Sequence, residues 1–448
     1  MEDTIFYVSF NAPIFVFYVN SNLSLKPQYS NYYEHRLLYL PYADIWTKKT
    51  DIAILIIGNK KAGQEVLEKS RIDKKNDINF LAGELGVRRI TVQNLKSGMV
   101  VARAIFSSDG RILLHSGIIL SNSYIKRLSE FEINSVYIRD EVFGDVECCD
   151  VVADKTRVNA IKMVRENFNQ LEKNHSLNTR AVKGTVGNIV DELLENRNIL
   201  FSLSDIRAFD DYTYAHSVNV CILSIMTGIT MGYNYDQLNE LGIGALLHDI
   251  GKIRINLEIL NKPGELTRDE FREIKRHPEF GFRILRDYQD LSLLSTHVAY
   301  QHHERWDGHG YPRNIARENI LEYARIAAAA DVYDALLADR PYRSSYSINQ
   351  GLNILKRMSG IYLDPTCVNA LIANIAVYPI GTVVELNTGD TGIVVDTNRE
   401  YPTRPIVKVV FNSWGQRLAP EHEVDLSKLK TIMIVRSLSD EEIDRFKD

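Results

Sequence analysis

Over residues 1–86 the hydrophobic and polar positions follow no steady period; the stretch is aromatic-rich, carries a lysine-rich patch at Lys74 and Lys75, and predicts no fold. From Arg88 the pattern becomes regular. Ile90, Val92, Met99, Val100, Val101, Ile105 and Ile112 to Leu114 fall in short runs around the turn Ser108-Asp109-Gly110, which predicts a small β-containing module. A helix is expected over residues 122–132 and a closing strand from Ser135 to Ile138. Val158, Ile161, Val164, Phe168 and Leu171 recur at helical spacing in a polar stretch, which predicts connecting helices. Residues 201–376 keep helical periodicity, and Pro and Gly cluster only at breaks such as Lys262-Pro263-Gly264. From Tyr378 the runs Thr382–Leu386, Gly392–Val395 and Ile406–Phe411 alternate with Gly and Asn turns, the pattern of an antiparallel sheet.

The chain therefore reads as multidomain and mainly α. Residues 1–86 are an unassigned segment, 87–150 a small α+β regulatory module, 151–200 a helical connector, 201–376 an all-α domain and 377–448 a small antiparallel β module. Ala82-Gly83-Glu84 is encodable by a purine-rich stretch like a bacterial ribosome-binding site, and Val87 follows at the distance of a GTG start. The functional protein is accordingly expected to begin at Val87.

Composition changes this picture little. An apolar fraction of 45% and a charged fraction of 25% are those of a globular protein, and 448 residues suit several domains. A net charge of −5 gives no field that gathers nucleic acid, so DNA and RNA polymers are not expected as partners, and an anionic substrate has to be held by particular Lys and Arg side chains. Cys148, Cys149, Cys221 and Cys367 form no Cys-x-x-Cys pair, which fits a reducing, cytoplasmic setting. The apolar stretch Ile5 to Val19 follows two acids, is interrupted by Asn11 and Pro13, and falls short of the roughly 20 helical residues that span a bilayer. No membrane span is expected; contact of this stretch with an interface is the lesser alternative.

The candidate chemistry lies in the histidines. Seven of the 11 fall between His216 and His309: His216, His248, His277, His297, His302, His303 and His309. One histidine in a helix is ordinarily a surface residue or a satisfied core residue; seven together are not so easily dismissed. His248-Asp249 ends the helix-like run LNELGIGALLHDIGK. Neighbours on a helix point about 100° apart, so both reach one ion only where the helix ends. His216 sits in another segment read as amphipathic, and Asp331 in the alanine-rich run RIAAAADVYDALL, too apolar around the carboxylate for an outer face. Imidazoles with carboxylates suit Mn, Fe, Co, Ni or Zn, and an aspartate can bridge two ions. Two such ions about 3.5–4 Å apart can activate water and clamp an in-line phosphoryl displacement.

His216, His248-Asp249 and Asp331 reproduce the H…HD…D signature of the HD superfamily of metal-dependent phosphohydrolases. HDIGK at 248–252, His277 before Pro278, HHERWDG at 302–308, GYP at 310–312 and DRPYR at 339–343 resemble the HD-GYP family of bacterial cyclic di-GMP phosphodiesterases. The resemblance implies an all-α HD-type catalytic domain and a cofactor of two divalent metal ions, Fe, Mn or similar. His216, His248, Asp249 and Asp331 would hold one ion, with Asp249 bridging to a second held by His277, His302 and His303. Lys252 would stabilise charge on the scissile phosphate, Arg340 and Arg343 would grip phosphate or guanine, and Tyr311 would contact the nucleotide. Taken singly, Lys252 is also a cation favoured at a helix C-terminus, the arginines are ordinary surface charges, and Tyr311 is a packed turn aromatic. The expected reaction is hydrolysis of cyclic di-GMP to pGpG and onward to GMP, with no general acid identifiable. Another nucleotide substrate, or a non-catalytic cyclic di-GMP receptor, is the alternative. GGDEF-type diguanylate cyclase domains and a second copy of the chain are the candidate protein partners.

Two positions depart from the family pattern. Where three-metal members carry a glutamate four residues before the first histidine, this chain has Tyr212, whose phenol, with an ordinary pKa near 10, is a poor ligand. Two ions are therefore expected, with Asp210 and Asp211 out of phase and Asp211 as a helix cap. His309 stands where a small residue is common and is expected to be an exposed loop histidine.

Overall fold

The computed structural model describes residues 4–10, 12–19, 47–48, 51–52, 86–106, 112–131, 133, 135–140, 143, 151–196, 199–201, 212–262, 264, 266–337 and 346–446. It divides into two compact units, Met1–Gly83 and Glu84–Asp448. In the first, β1 (Thr4–Phe10) and β2 (Ala12–Val19) pair antiparallel, as do β3 (Thr47–Lys48) and β4 (Asp51–Ile52). Most of the apolar stretch that begins at Ile5 is thus a pair of antiparallel strands.

The second unit opens with β5 (Gly86–Thr91), β6 (Val100–Val101), β7 (Ile105–Phe106) and β8 (Ile112–Leu114). These are followed by α1 (Asn122–Glu130) and β9 (Ser135–Asp140). Strands β5 and β6 flank β9 antiparallel, and Ile90, Val101, Leu120, Leu128 and Ile138 make the core. Ser121 caps α1 by accepting from the Tyr124 N–H.

Two helices, α2 (Asp154–Asn174) and α3 (Thr179–Glu195), lead into the helical core of α4 (Tyr212–Thr230) and α5 (Tyr235–Leu246). Short helices α6 (Leu257–Leu260) and α7 (Arg268–Ile274) precede α8 (His277–Leu285) and α9 (Leu293–Gln301). The long α10 (Glu322–Leu337), α11 (Ile348–Met358) and α12 (Pro365–Ile372) complete the bundle. Helix α4 is not amphipathic: it is buried on every face from His216 to Gly228, because α2, α3, α5, α10 and α12 all pack around it. The alanines of α10, Ala324 and Ala327 to Ala330, are buried and let it lie close against α4. No helix among the described residues is long and apolar enough to cross a membrane.

The chain ends in a five-stranded antiparallel sheet, β10 (Val383–Leu386), β11 (Thr391–Asp396), β12 (Ile406–Phe411), β13 (Arg417–Asp425) and β14 (Ile434–Ser437), followed by α13 (Asp440–Asp444). Its strand order is β13-β12-β11-β10-β14. Arg88 on β5, fully buried, donates to Asp140 at 2.9 Å and to Asp440 at 3.1 Å, so the small N-terminal sheet and the last helix of the second unit share one buried cation.

Candidate metal centre

Each element delivers its ligand where its helix starts or stops, or on a face walled by small residues. Helix α5 ends at Leu246, so His248 and Asp249 occupy the turn before the 3₁₀ helix Ile250–Arg254. His277 opens α8, while His302 directly follows α9, with His303 in the turn beyond. His216 projects from α4 and Asp331 from α10. Leaving the helical path is what lets the neighbours His248-Asp249 and His302-His303 turn toward a common point.

Two sets of ligand atoms result, Asp249 with His277, His302 and His303, and His216 with His248 and Asp331. Asp249 faces both. Its Oδ1 lies 3.4 Å from His277 Nε2 and 3.8 Å from His302 Nε2. Its Oδ2 lies 3.4 Å from His248 Nε2 and 4.0 Å from His216 Nε2. The Lys252 ammonium donates to the same Oδ2 at 2.5 Å.

The outer nitrogens of these rings are committed. The Nδ1–H of His248 donates to the Ala245 carbonyl at 2.7 Å, that of His277 to Ile274 at 2.7 Å, and that of His302 to Ala299 at 3.0 Å. Each Nε2 is thereby left as the inward lone pair. His248 Nε2 is buried without a hydrogen-bond partner, and the Nε2 atoms of His277 and His302 face each other at 3.2 Å. An orphaned buried acceptor costs about 1–3 kcal/mol, and converging lone pairs repel; a cation relieves both. The set of imidazole nitrogens and carboxylates fits divalent transition ions.

Electrostatics point the same way for the set around His277, His302 and His303. Burial pushes the pKa of His277 down to about 3 and that of His303 to about 4, and holds His302 well below its ordinary value, so these rings are neutral at neutral pH, the form that can ligate a metal. Burial also works against a charge on His216, yet its hydrogen bonds to Asp331 and Asp334 raise its pKa to about 9. Burial opposes ionisation of Asp249 and Asp331 as well, but Lys252 and His248 around the first and His216 beside the second keep both carboxylates well below the usual range.

Several supporting groups are not among the candidates singled out from the sequence. Asp334, one turn beyond Asp331, accepts the His216 Nδ1–H at 2.7 Å and the Asn219 amide at 2.9 Å. The buried Glu304 carboxylate accepts from the Arg313 N–H at 2.7 Å and the Ile315 N–H at 3.2 Å, and so folds the loop after His303 back on itself. Tyr311 is set by its N–H bond to the His303 carbonyl at 3.1 Å; its ring lies 4.8 Å from the His303 ring, and Lys275 sits over it at 5.3 Å. Gly310 passes so close to the chain that a Cβ would stand 2.3 Å from Arg305 N and 2.6 Å from His303 O. His309 is 79% exposed and outside the cluster. Arg340 and Arg343, Asp210, Asp211 and the Tyr212 side chain lie outside the described residues.

Gly251 sets the approach of the His248-Asp249 turn to α8. A Cβ there would fall 2.0 Å from the His277 carbonyl oxygen and 2.5 Å from Gly281 N, both backbone atoms that cannot swing away. Gly251→Ala is expected to destabilise the protein by about 2–3 kcal/mol by forcing the two ligand-bearing segments apart. Thermal unfolding checks this; an unchanged midpoint would show that the two segments part at no cost.

Residues 203–367 match the HD domain family, and residues 383–446 the KOW domain associated with HD domain. A cyclic di-GMP phosphodiesterase of Pseudomonas aeruginosa is 36% identical over 58% of this chain and 63% of its own length. A 3′3′-cGAMP-specific phosphodiesterase of Vibrio cholerae is 36% identical over 36% of this chain and 35% of its own. The chain thus spans less than two thirds of either relative. Among solved structures, an HDG"Y"P protein from Bdellovibrio bacteriovorus, Bd1817, is 18% identical with a TM-score of 0.41, covering 64% of this chain and 98% of that one.

Proposed function

We propose that residues 203–367, which match the HD domain family, are an HD domain of the HD-GYP type, and that the chain is a metal-dependent phosphodiesterase that opens cyclic di-GMP to linear pGpG. The observation that carries the proposal is Asp249, with one oxygen turned to each of two buried ligand sets and a lysine on its flank. His216, His248, Asp249 and Asp331 would hold one ion, and Asp249, His277, His302 and His303 the other. Two ions follow from Tyr212 standing where a third would need a carboxylate. Divalent ions, when bound, supply Lewis-acid stabilisation of phosphate charge and lower the pKa of water.

The chain's own groups do the rest. Lys252, its side chain 28% exposed beside the buried Asp249, offers a cation to charge that develops on a phosphate oxygen. Tyr311, fixed by the His303 carbonyl and flanked by Lys275, presents a ring against which a base can stack. Burial pushes its phenol pKa upward, so the hydroxyl stays neutral and serves as a hydrogen-bond donor. Arg340 and Arg343 would add guanidinium forks suited to phosphate or a guanine edge.

The similarity to a 3′3′-cGAMP-specific enzyme favours one second reading, in which the mixed dinucleotide is preferred. The two differ at one base, where guanine offers an acceptor at position 6 and adenine a donor. With Mn- or Fe-loaded protein, cyclic di-GMP is expected to be consumed at least about tenfold faster than 3′3′-cGAMP, because a site built for one hydrogen-bonding edge leaves a polar group unpaired against the other. Chromatography of the products decides it. Turnover of another nucleotide with cyclic di-GMP untouched would sink the proposal, and tight binding of cyclic di-GMP with no turnover of any substrate would favour a receptor.

A further inference from the structure

A chain of three buried hydrogen bonds runs from the connector helix α2 to the first ligand. The Arg157 guanidinium donates through Nη1 to Asn219 Oδ1 at 3.0 Å, the Asn219 amide donates through Nδ2 to Asp334 Oδ1 at 2.9 Å, and His216 Nδ1–H donates to Asp334 Oδ2 at 2.7 Å. Arg157 lies before the segment that matches the HD domain, which starts at residue 203. All four side chains are buried: Arg157 is 2% exposed, Asn219 8%, Asp334 0% and His216 5%.

We propose that Arg157 is a positioning residue for the first ion, acting on His216 through Asn219 and Asp334. The inference rests on the reading of His216 as a metal ligand. A buried guanidinium and a buried carboxylate each need compensation, and here they flank one amide. An amide with a cation on one side and an anion on the other has a single favourable orientation: the carbonyl faces Arg157 and the NH₂ faces Asp334. With Oδ1 of Asp334 so occupied, Oδ2 is aimed at His216 Nδ1–H, which fixes the ring so that its Nε2 points toward Asp331, 3.1 Å away. Asn219 follows His216 by three residues on α4, and Asp334 follows Asp331 by three on α10, so each ligand and its support lie one turn apart on the same helix face.

The helix that carries Arg157 is also tied to the N-terminal module. Asp154, one turn before Arg157 on α2, pairs with Arg103 of the N-terminal module at 2.7 Å. A shift of α2 would therefore carry Arg157 away from Asn219 and release the orientation of His216.

The test is titration of the metal-free full chain with Mn²⁺, read by calorimetry with chelator competition. Arg157→Met is expected to weaken one of two sites by about tenfold, the lower range of what losing an outer-shell partner costs, and to leave the other unchanged. Arg157→Lys, which keeps a donor, should recover most of that loss. Asn219→Ala should weaken the same site, and adding Arg157→Met to it should weaken the site no further, because the two act in series. Wild-type affinity in folded Arg157→Met, or losses that add in full in the double variant, would reduce Arg157 to a clamp on the Phe201 ring, 5.8 Å away. Should Arg157→Met not fold, Asn219→Ala alone decides, since it leaves that clamp in place, and unchanged affinity there overturns the proposal. A wild-type chain that takes up no Mn²⁺ would instead sink the reading of the metal centre itself.

Discussion

Asp249→Asn is expected to lower hydrolysis of cyclic di-GMP by at least about 10³-fold, in the range seen when a group that works as part of a catalytic unit is removed, and to reduce bound Mn²⁺ from two ions per chain. The substitution keeps the shape of the side chain. What it removes is a charge and one ligand oxygen, and the geometry makes both count. Oδ1 stands 3.4 Å from His277 Nε2, and Oδ2 stands 3.4 Å from His248 Nε2 and 2.5 Å from Lys252. An amide offers one acceptor where the carboxylate offers two, so one ligand set loses its oxygen whichever way the amide turns. Its NH₂ would then face imidazole lone pairs and hydrogen-bond to them, competing with an ion for the same electrons. Asp249 is only 1% exposed, so water cannot take its place easily. Metal analysis and initial rates on the same preparation check this. Unchanged hydrolysis would refute the proposed centre outright, whereas full metal content with lost activity would move Asp249's role from holding ions to acting on substrate.

The candidate ligands are legible because most of them come as neighbours in short motifs. His248-Asp249 and His302-His303 are adjacent pairs at helix ends, and two imidazoles or an imidazole and an acid in sequence at such an end have few structural uses. Asp331 stood out as an acid in an alanine run. Asp334 carried the same signal, an acid three residues on in the same apolar stretch, and a check of the helix face for a second buried carboxylate finds it. Glu304 is harder, because its partners are backbone N–H groups of Arg313 and Ile315, which no side-chain pattern announces. Arg157 is harder still: its contact with Asn219 spans 62 residues, and nothing local distinguishes it from the other basic residues of a polar helix.

The fold shows a similar divide. Strands β10, β11 and β12 bury apolar side chains on both faces, so their near-continuous apolar runs are plain in the sequence. Strands β13 and β14 close the edges of the same sheet with mostly exposed side chains, Val424 being the one buried residue on β13, and an edge strand facing water on both sides has no period to read. For α4 the difficulty was reversed. A helix largely apolar all round carries no preferred face, and only its packing by five other helices shows it to be central.

Lys252→Met is expected to slow hydrolysis by about 10²- to 10³-fold, the cost of deleting one positioned donor to developing charge, with little change in KM and with both ions still bound. Methionine preserves most of the stem's bulk while removing the ammonium. Lys252 lies in the 3₁₀ turn three residues after Asp249, and its Nζ reaches Oδ2 at 2.5 Å while 28% of the side chain remains exposed. Those two facts separate it from a structural ion pair. A lysine closed off from the open side of the centre would have no hydrogen to offer a substrate. This one lies at the rim, with Asp249 behind it and donors to spare, since an ammonium has three hydrogens and Asp249 takes one. A phosphate oxygen at the centre can take another, gaining a charge-assisted bond that strengthens as negative charge accumulates. That growth is what makes the effect appear in kcat rather than KM, because an interaction made mainly in the transition state leaves ground-state binding alone. The competing reading, a cation that merely steadies Asp249, predicts the opposite pattern: Mn²⁺ affinity would fall in Lys252→Met, and activity would return at high Mn²⁺. Loss of rate that persists at saturating metal, measured with cyclic di-GMP in excess of KM, selects the role in catalysis; full recovery at high metal removes it.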